Sequence, residues 1–239
     1  MSIYEYEAAF GAADKTSSAM KKAVEDWFSL YYNTEATQDS DPCQRIAYCV
    51  VNKLVKTVFG EYKVTATTPL EKLVVQAMDK KRLHAMQLSL IGGECYLKPW
   101  FENGVPVFGV IPRNNVLIFG RNADGDPTDM GTVARSVDGK HYFTLLERRY
   151  LDETGCLVIE NKLFRSLNSQ SLGIQVPLSH APQYAALPEQ FRYATPMGLG
   201  LVRLKTPMLN CVDGSADGVS VYAAAAALIR NIDENEAQL

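Results

Sequence analysis

The hydrophobic period of this chain changes at Gly92-Gly93, and that change constrains the fold more than any other feature. Before the glycine pair, apolar residues recur at helical spacing. After it, from Glu94 to Leu167, they alternate with period two. A chain that runs helices first and strands second is an α+β protein rather than a βαβ one. The strands are joined by turns too short for crossover helices, so the sheet is expected to be an antiparallel meander.

The helical part has three segments. Ser17 or Ser18 is placed to cap a helix reaching about Tyr32, with Met20, Val24, Trp27, Phe28 and Tyr31 on one face. Asn33 to Pro42 is polar and breaker-rich and reads as a loop. A second helix is expected from Pro42, with Ile46, Ala47, Val50, Val51, Leu54, Val55 and Val58 as a broad apolar stripe set deep in the core, and Gly60 as its close. Glu61 to Thr67 alternates and is β-branched, which predicts a short strand. Pro69 opens a third helix, expected to run to Gly92-Gly93. Leu73, Val74, Ala77, Met78, His84 or Ala85, and Leu88 face inward, and Asp79 to Arg82 form its wet middle.

In the β-rich part, Asn103-Gly104 marks a hairpin between Cys95–Phe101 and Val105–Ile111. Asn115 to Phe119 is a further strand and Asn122 to Asp129 a loop. Gly131–Val137 and Lys140–Leu151 form a second hairpin about Asp138-Gly139. The chain turns at Asp152–Gly155 and returns through Cys156–Leu167. Beyond Gly173, repeated prolines predict irregular structure, with Leu199 to Leu204 able to pair with a sheet. A final helix is expected from Val219 to about Asp233. The expected organisation is therefore one region over 1–239: helical over 1–93, β-rich over 94–210, and a C-terminal helix over 219–239. Ile232 to Leu239 contains no Gly, Pro or basic stop signal, so the helix is expected to continue into a longer one.

Composition narrows the function classes. Lys and Arg number 24 against 27 Asp and Glu, a formal charge of −3. Such a chain is not drawn to phosphate backbones as a whole. Its longest basic cluster, Lys80-Lys81-Arg82, reads as a solvated helix face. No apolar run approaches the ~20 residues of a membrane span. Met1 to Phe10 carries Glu5 and Glu7 without a basic region, unlike a signal peptide, so a cytoplasmic location is expected. The five cysteines, Cys43, Cys49, Cys95, Cys156 and Cys211, form no C-x-x-C and read as small buried residues.

The search for chemistry yields no catalytic, cofactor-binding or metal-ligating set. His84, His141 and His180 stand apart in sequence. Asn122-x-Asp124-x-Asp126 resembles the start of a calcium loop. Pro127 and Val133 then occupy the places of the required Gly and Glu, which leaves turn chemistry. Gly198-Leu-Gly200 lacks the rest of a dinucleotide fingerprint. Glu147, Asp152 and Glu153 read as solvated strand-end acids. Asp213-Gly-Ser-Ala-Asp-Gly218 offers two carboxylates and a serine without a nucleophile elbow.

The run Phe191 to Asp233 resembles a signature region of bacteriophage portal proteins, of the branch typical of phages of Gram-positive bacteria. The phrase Leu204-Lys-Thr-Pro-Met-Leu-Asn210, then Asp213-Gly-Ser-Ala-Asp-Gly-Val-Ser-Val-Tyr222, is similar to that family's Lys, x-Pro, x-x-Asn and Gly-x-Ser before a small-residue helix. Arg45 to Phe59, Gly92-Gly93-Glu94 with Tyr96-Leu-Lys98, Tyr142 to Tyr150 and Ile159 to Arg165 resemble earlier family segments in order. The resemblance spans about Trp27 to Asp233. It implies the wing region of a ring subunit at the capsid vertex, through which DNA is packaged and ejected, with the stem, clip and crown missing. It implies no catalysis or cofactor. The implied partners are copies of the chain, capsid or scaffolding protein, and passing double-stranded DNA. The implied location is the host cytoplasm during assembly and then the virion. Trp27, Tyr31, Tyr32, Trp100, Phe101, Arg148 and Arg149 are candidate interface residues, with the protein core as the plainer place for the aromatics. Two alternatives differ in class. One is a serine hydrolase using Ser215 or Ser220 with Asp213 or Asp217 and His180. The other is a standalone phage- or prophage-derived binding or adaptor module.

Overall fold

The computed structural model describes residues 3–33 and 45–236. In chain order it has α1 (Ile3–Phe10), α2 (Ser18–Tyr32), α3 (Ile46–Gly60), α4 (Pro69–Asp79), α5 (Arg82–Gly92), β1 (Glu94–Glu102), β2 (Val105–Pro112), β3 (Val116–Arg121), β4 (Pro127–Asp138), β5 (His141–Leu151), β6 (Cys156–Ser166), β7 (Ile174–Val176), β8 (Gln190–Pro196), β9 (Val202–Lys205) and α6 (Ala226–Glu236). The fold is α+β, with antiparallel sheets throughout. Among the described residues, no helix is long and apolar enough to cross a membrane. The β-rich stretch over 94–210 divides between two sheets, which belong to two compact units: Met1–Thr16 with Asn115–Gly200, and Ser17–Asn114 with Leu201–Leu239.

In the first unit, β3-β4-β5-β6 form the expected meander. Two short strands share the outer edge of β6: β7 pairs with Leu163 to Arg165 and β8 with Cys156 to Glu160. β8 lies in the stretch expected to be irregular. α1 covers one face with Tyr6 and Phe10 against Leu117, Phe119, Val133, Leu146 and Phe164. Gly131 makes room for it, since a β-carbon there would lie 2.6 Å from the Phe10 ring. Lys162 Nζ and Arg148 donate to the Ala9 and Phe10 carbonyls, satisfying the last turn of α1. The opposite face packs Phe143, Leu145, Leu163 and Val176 under Leu178 and Ala181.

In the second unit, α2, α3 and α5 pack on the sheet β2-β1-β9 around Met20, Trp27, Phe28, Val51, Leu88, Ile91, Cys95 and Leu97. Ser17 caps α2 by accepting from the Met20 N–H at 3.1 Å, and Asn33 closes it in the left-handed region at φ 52°. The β1–β2 turn has Asn103 and Gly104 both at positive φ, a type I′ hairpin.

Several sequence expectations shift. α3 buries Ala47, Val51 and Val55 but leaves Leu54 38% and Val58 50% exposed, so its stripe is wider than the core that covers it. Its start at Pro42, the loop over 34–42 and Cys43 lie outside the described residues, as does any helix past 236. Among the described residues, Glu61 to Thr67 pairs with no strand. Arg82 draws it alongside the helices instead, stacking 4.6 Å from the Tyr62 ring and 5.3 Å from that of Phe59. The same contact explains why the third helix breaks at Lys80-Lys81: Arg82 is held half-buried beside Asp79 at 3.0 Å rather than on a wet continuous face. Ala85, not His84, faces inward. The last helix begins at Ala226, after a 3-10 turn over Ala223–Ala225. Val219 to Tyr222 stays non-helical because its backbone and hydroxyl bond elsewhere.

Candidate functional site

The densest polar arrangement lies in the second unit, where β1 leaves α5. Gly93 sits at φ 82° and lets the chain turn directly from helix to strand. The next residue, Glu94, is fully buried. Burying a carboxylate costs several kcal/mol unless it is neutralised and fully hydrogen-bonded. Glu94 meets both conditions. Its Oε2 accepts from Arg203 Nε at 2.9 Å, from Arg203 Nη2 and from the Gly218 N–H at 3.1 Å. Its Oε1 accepts from the Tyr96 hydroxyl at 3.0 Å. Arg113 Nε lies 3.0 Å from the same oxygen but off the hydrogen-bond line, a charge contact. Arg113 Nη2 also approaches Asp217 Oδ2, at 3.7 Å. Two carboxylates and two guanidinium groups make the cluster neutral. Burial pushes the Tyr96 phenol well above its ordinary range, and the adjacent Glu94 charge adds to it, so Tyr96 stays protonated as a donor.

Register explains the geometry. Tyr96 stands opposite Arg203 on β9, and Glu94 opposite Lys205, so Glu94, Tyr96 and Arg203 share one face of the sheet. Cys95, Leu97 and Leu204 share the other, against the helices.

The segment 210–222 is threaded into this hub. Asn210 folds the loop: its Nδ2 donates to Asp213 Oδ1 at 2.9 Å and Ser215 Oγ at 3.0 Å, and its Oδ1 accepts from the Val212 N–H at 2.8 Å. Asp213 Oδ2 accepts from Ser17 Oγ, the cap of α2. Burial raises the Asp213 pKa, but hydrogen bonds from Ser17 and Ser215 outweigh it and leave the carboxyl below its usual value. Arg203 and Lys205 both donate to the Ala216 carbonyl. Ser220 is fully buried; its Oγ donates to the Leu90 carbonyl at 3.1 Å, beside the Val221 N–H at 3.0 Å. Leu90 is in the last turn of α5, where carbonyls lack helical partners. Thr206 bonds Gly93 and Val219 carbonyl oxygens, and the Tyr222 hydroxyl donates to Trp27 O at 2.7 Å.

The residues weighed for hydrolase chemistry thus have structural tasks. Ser215 and Ser220 bond Asn210 and Leu90, Asp213 accepts from the hydroxyl of Ser17, the cap of α2, and Asp217 joins the charge cluster. His180 belongs to the first unit, exposed in a 3-10 turn. His84 is exposed on α5 and His141 half-buried at the start of β5. Among the described residues, no group of three or more His, Cys, Asp or Glu is placed to hold a metal ion. Asn122 and Asp126 bond one another across a tight turn, through Asn122 Oδ1 at 2.8 Å.

Of the candidate interface residues, Trp27 (2% exposed) and Arg149 (6%) are buried, Arg149 against Glu147 and the Leu199 carbonyl. Arg148 is half-buried in a bidentate pair with Asp129. Tyr31 is half-buried. Tyr32, Trp100 and Phe101 are exposed. Glu147 is buried rather than a solvated strand end, whereas Asp152 holds Arg192 and Thr154 at the surface. Sequence reading missed Glu94, Arg113 and Arg203 as a set. The usable signal was a carboxylate directly after Gly92-Gly93, at a strand position bound for burial. No protein-family model matches the chain, and no curated protein matches its sequence significantly.

Proposed function

We propose that this chain is a structural assembly subunit, the wing-containing part of a bacteriophage portal ring. One coincidence carries the reading. The residues by which 191–233 resembles portal proteins are the ones that build the hub. Lys205 holds the Ala216 carbonyl, Asn210 folds the loop, Gly218 donates to Glu94, and Ser220 satisfies Leu90. A motif of this kind fixes how a final helix leaves the body.

Ring subunits work by presenting complementary surfaces to their neighbours, with closure by rotation. Exposed Leu54 and Val58 on α3, and Trp100 and Phe101 at the tip of the β1–β2 hairpin, are apolar groups suited to such contacts. The implied partners are copies of the chain, the capsid or scaffolding protein, and passing duplex DNA.

Sedimentation velocity at rising protein concentration tests the reading. The expected result is concentration-dependent association into discrete ring-like or arc-like species, weakened by Phe101→Ser with Leu54→Ser. A strictly monomeric chain at every concentration and salt tried overturns it.

A further inference from the structure

We propose that the first unit carries a binding site for a phosphate-sized anion, a phosphomonoester or phosphodiester group, with Arg165 as its principal cation. The site is independent of ring assembly.

Register builds it. Arg165 stands opposite Phe143 on β5 and opposite Ile174 on β7. With period two, its side chain rises from the face that carries Phe143, Leu145, Leu163 and Val176. It therefore stands in the edge row of that apolar core, level with Phe143. His141, two residues before Phe143, lies on the same face and diagonal to Arg165 across the two strands. The His141 and Phe143 rings are 6.3 Å apart.

Other strand arginines have named partners: Arg148 has Asp129, Arg149 has Glu147, Arg192 has Asp152 and Arg203 has Glu94. Arg165 is half-buried and, among the described residues, has no ion pair, side-chain hydrogen bond or ring contact. It borders a cleft of about 470 Å³, lined also by His141, Ser166, Leu167, Asn168 and Ser171. Among the described residues, no carboxylate lines that cleft. Asp138 stands opposite His141 in the hairpin, outside the lining, with Lys140 beside it.

The backbone around Arg165 is fixed. Gly173, at φ 80°, approaches so closely that a β-carbon there would lie 2.1 Å from the Arg165 carbonyl oxygen. The loop over 167–173 is thereby folded onto the end of β6. Ser166 Oγ and Ser171 Oγ share a hydrogen bond at 2.7 Å, so one of the two hydroxyl hydrogens remains to donate elsewhere. An oxyanion in the cleft would receive the guanidinium fork of Arg165. Arginine's planar donors match phosphate oxygens in pairs, which a lysine does not do. The chain as a whole carries −3 and does not gather anions, so such binding depends on this local cation.

Amide NMR of the full chain at constant ionic strength tests the site, with inorganic phosphate and a short oligothymidylate as separate probes. The expected result is saturable shifts confined to His141 and the residues of the 165–174 segment. Arg165→Gln is expected to weaken binding about tenfold or more, with Asp138 and Lys140 substitutions having smaller effects. Arg165→Lys keeps the charge without the fork, is expected to bind at an intermediate level, and decides the case if the glutamine variant does not fold. Phosphate binding no weaker than oligothymidylate assigns the site to free phosphate or a monoester. Oligothymidylate binding tenfold tighter, with the same dependence on Arg165, assigns it to a nucleic-acid phosphate. Absence of saturable shifts with both probes, or shifts unchanged by the Arg165 variants, overturns the proposal.

Discussion

Gly93 and Gly218 meet backbone to backbone. A β-carbon on Gly93 would lie 2.3 Å from the carbonyl carbon and oxygen of Gly218, and one on Gly218 would lie 2.2 Å from the Gly93 oxygen. Real β-carbons do not tolerate such distances, and the atoms they would meet are backbone with no rotamer to change. The contact holds the Gly218 N–H within reach of Glu94. Alanine at either position must separate the segments and remove that hydrogen bond. Gly93→Ala adds the strain of φ 82°. Each substitution is expected to destabilise the second unit by about 2–4 kcal/mol, read from urea unfolding of the full chain. Gly139→Ala is the comparison, because a β-carbon there meets nothing within 4 Å and only its positive φ of 58° opposes it. A Gly93→Ala cost no greater than that of Gly139→Ala, or no cost for Gly218→Ala, would show that the close contact contributes nothing.

Glu94 is the centre of a neutral cluster, so removing its charge leaves two guanidinium groups without their carboxylate. Glu94→Gln keeps the volume and is expected to cost about 3–5 kcal/mol, the usual penalty for breaking a buried ion pair by one partner. Asp217→Asn is expected to cost less, since its contact with Arg113 is 3.7 Å. Chemical denaturation of both variants checks the order. A Glu94→Gln protein as stable as the parent would mean that the pairing adds no net stability.

The reading from sequence succeeded where local chemistry decides and failed where a distant partner decides. Ser17, the Asn103-Gly104 turn and the alternation of β5 and β6 are local signals, and each element formed where its residues indicated. The Glu61–Thr67 segment carries the same β-branched signal, yet a strand also needs an edge to pair with. Arg82 held it by Tyr62 instead. Val219 to Tyr222 has helix-compatible neighbours, but its donors and acceptors go to Leu90 and Thr206, far away in sequence. The hub was hidden for the same reason. Glu94, Arg113, Arg203 and Asp217 are each ordinary in their local sequence, and only the register of β1 against both β9 and β2 brings the first three together. Arg165 gives no local signal, because what it meets is decided by its neighbours across the sheet.

Glu71 supplies a pH-dependent contribution at the start of α4. Its carboxylate accepts from the Thr68 and Thr67 N–H groups and the Thr67 hydroxyl, while Thr68 Oγ1 accepts from the Glu71 N–H. Those bonds, the Thr68 N–H first, lower its pKa from 4.5 to about 2. Because the folded value lies below the unfolded one, the contribution is complete above pH 4.5. It is lost as pH falls toward about 2. Carbon-detected NMR of the side-chain carboxyl is expected to give a midpoint near the lower figure. Thr68→Ala should move it upward. A midpoint at the ordinary glutamate value in the parent protein would rule out the capping box in solution.

Cys95 and Cys211 should differ sharply toward alkylating reagents. Cys95 is fully buried, its Sγ–H directed at the Ala85 carbonyl at 3.2 Å. Burial, with the Glu94 charge beside it, pushes its pKa up to about 12. The thiolate is the nucleophile. At pH 8 its fraction on Cys95 is about one in ten thousand, and that fraction is shielded from solvent. Cys49 and Cys211 are exposed, and Cys156 is buried. Iodoacetamide labelling followed by peptide mass spectrometry is expected to modify Cys49 and Cys211 early. Cys95 and Cys156 should be modified only at the rate at which their units open. Cys95 would stay slow, because opening rather than ionisation limits it. Gly218→Ala loosens the segment packed on Gly93, next to Cys95, and should selectively accelerate Cys95 over Cys156. Equal labelling of Cys95 and Cys211 in the parent chain would contradict a closed hub.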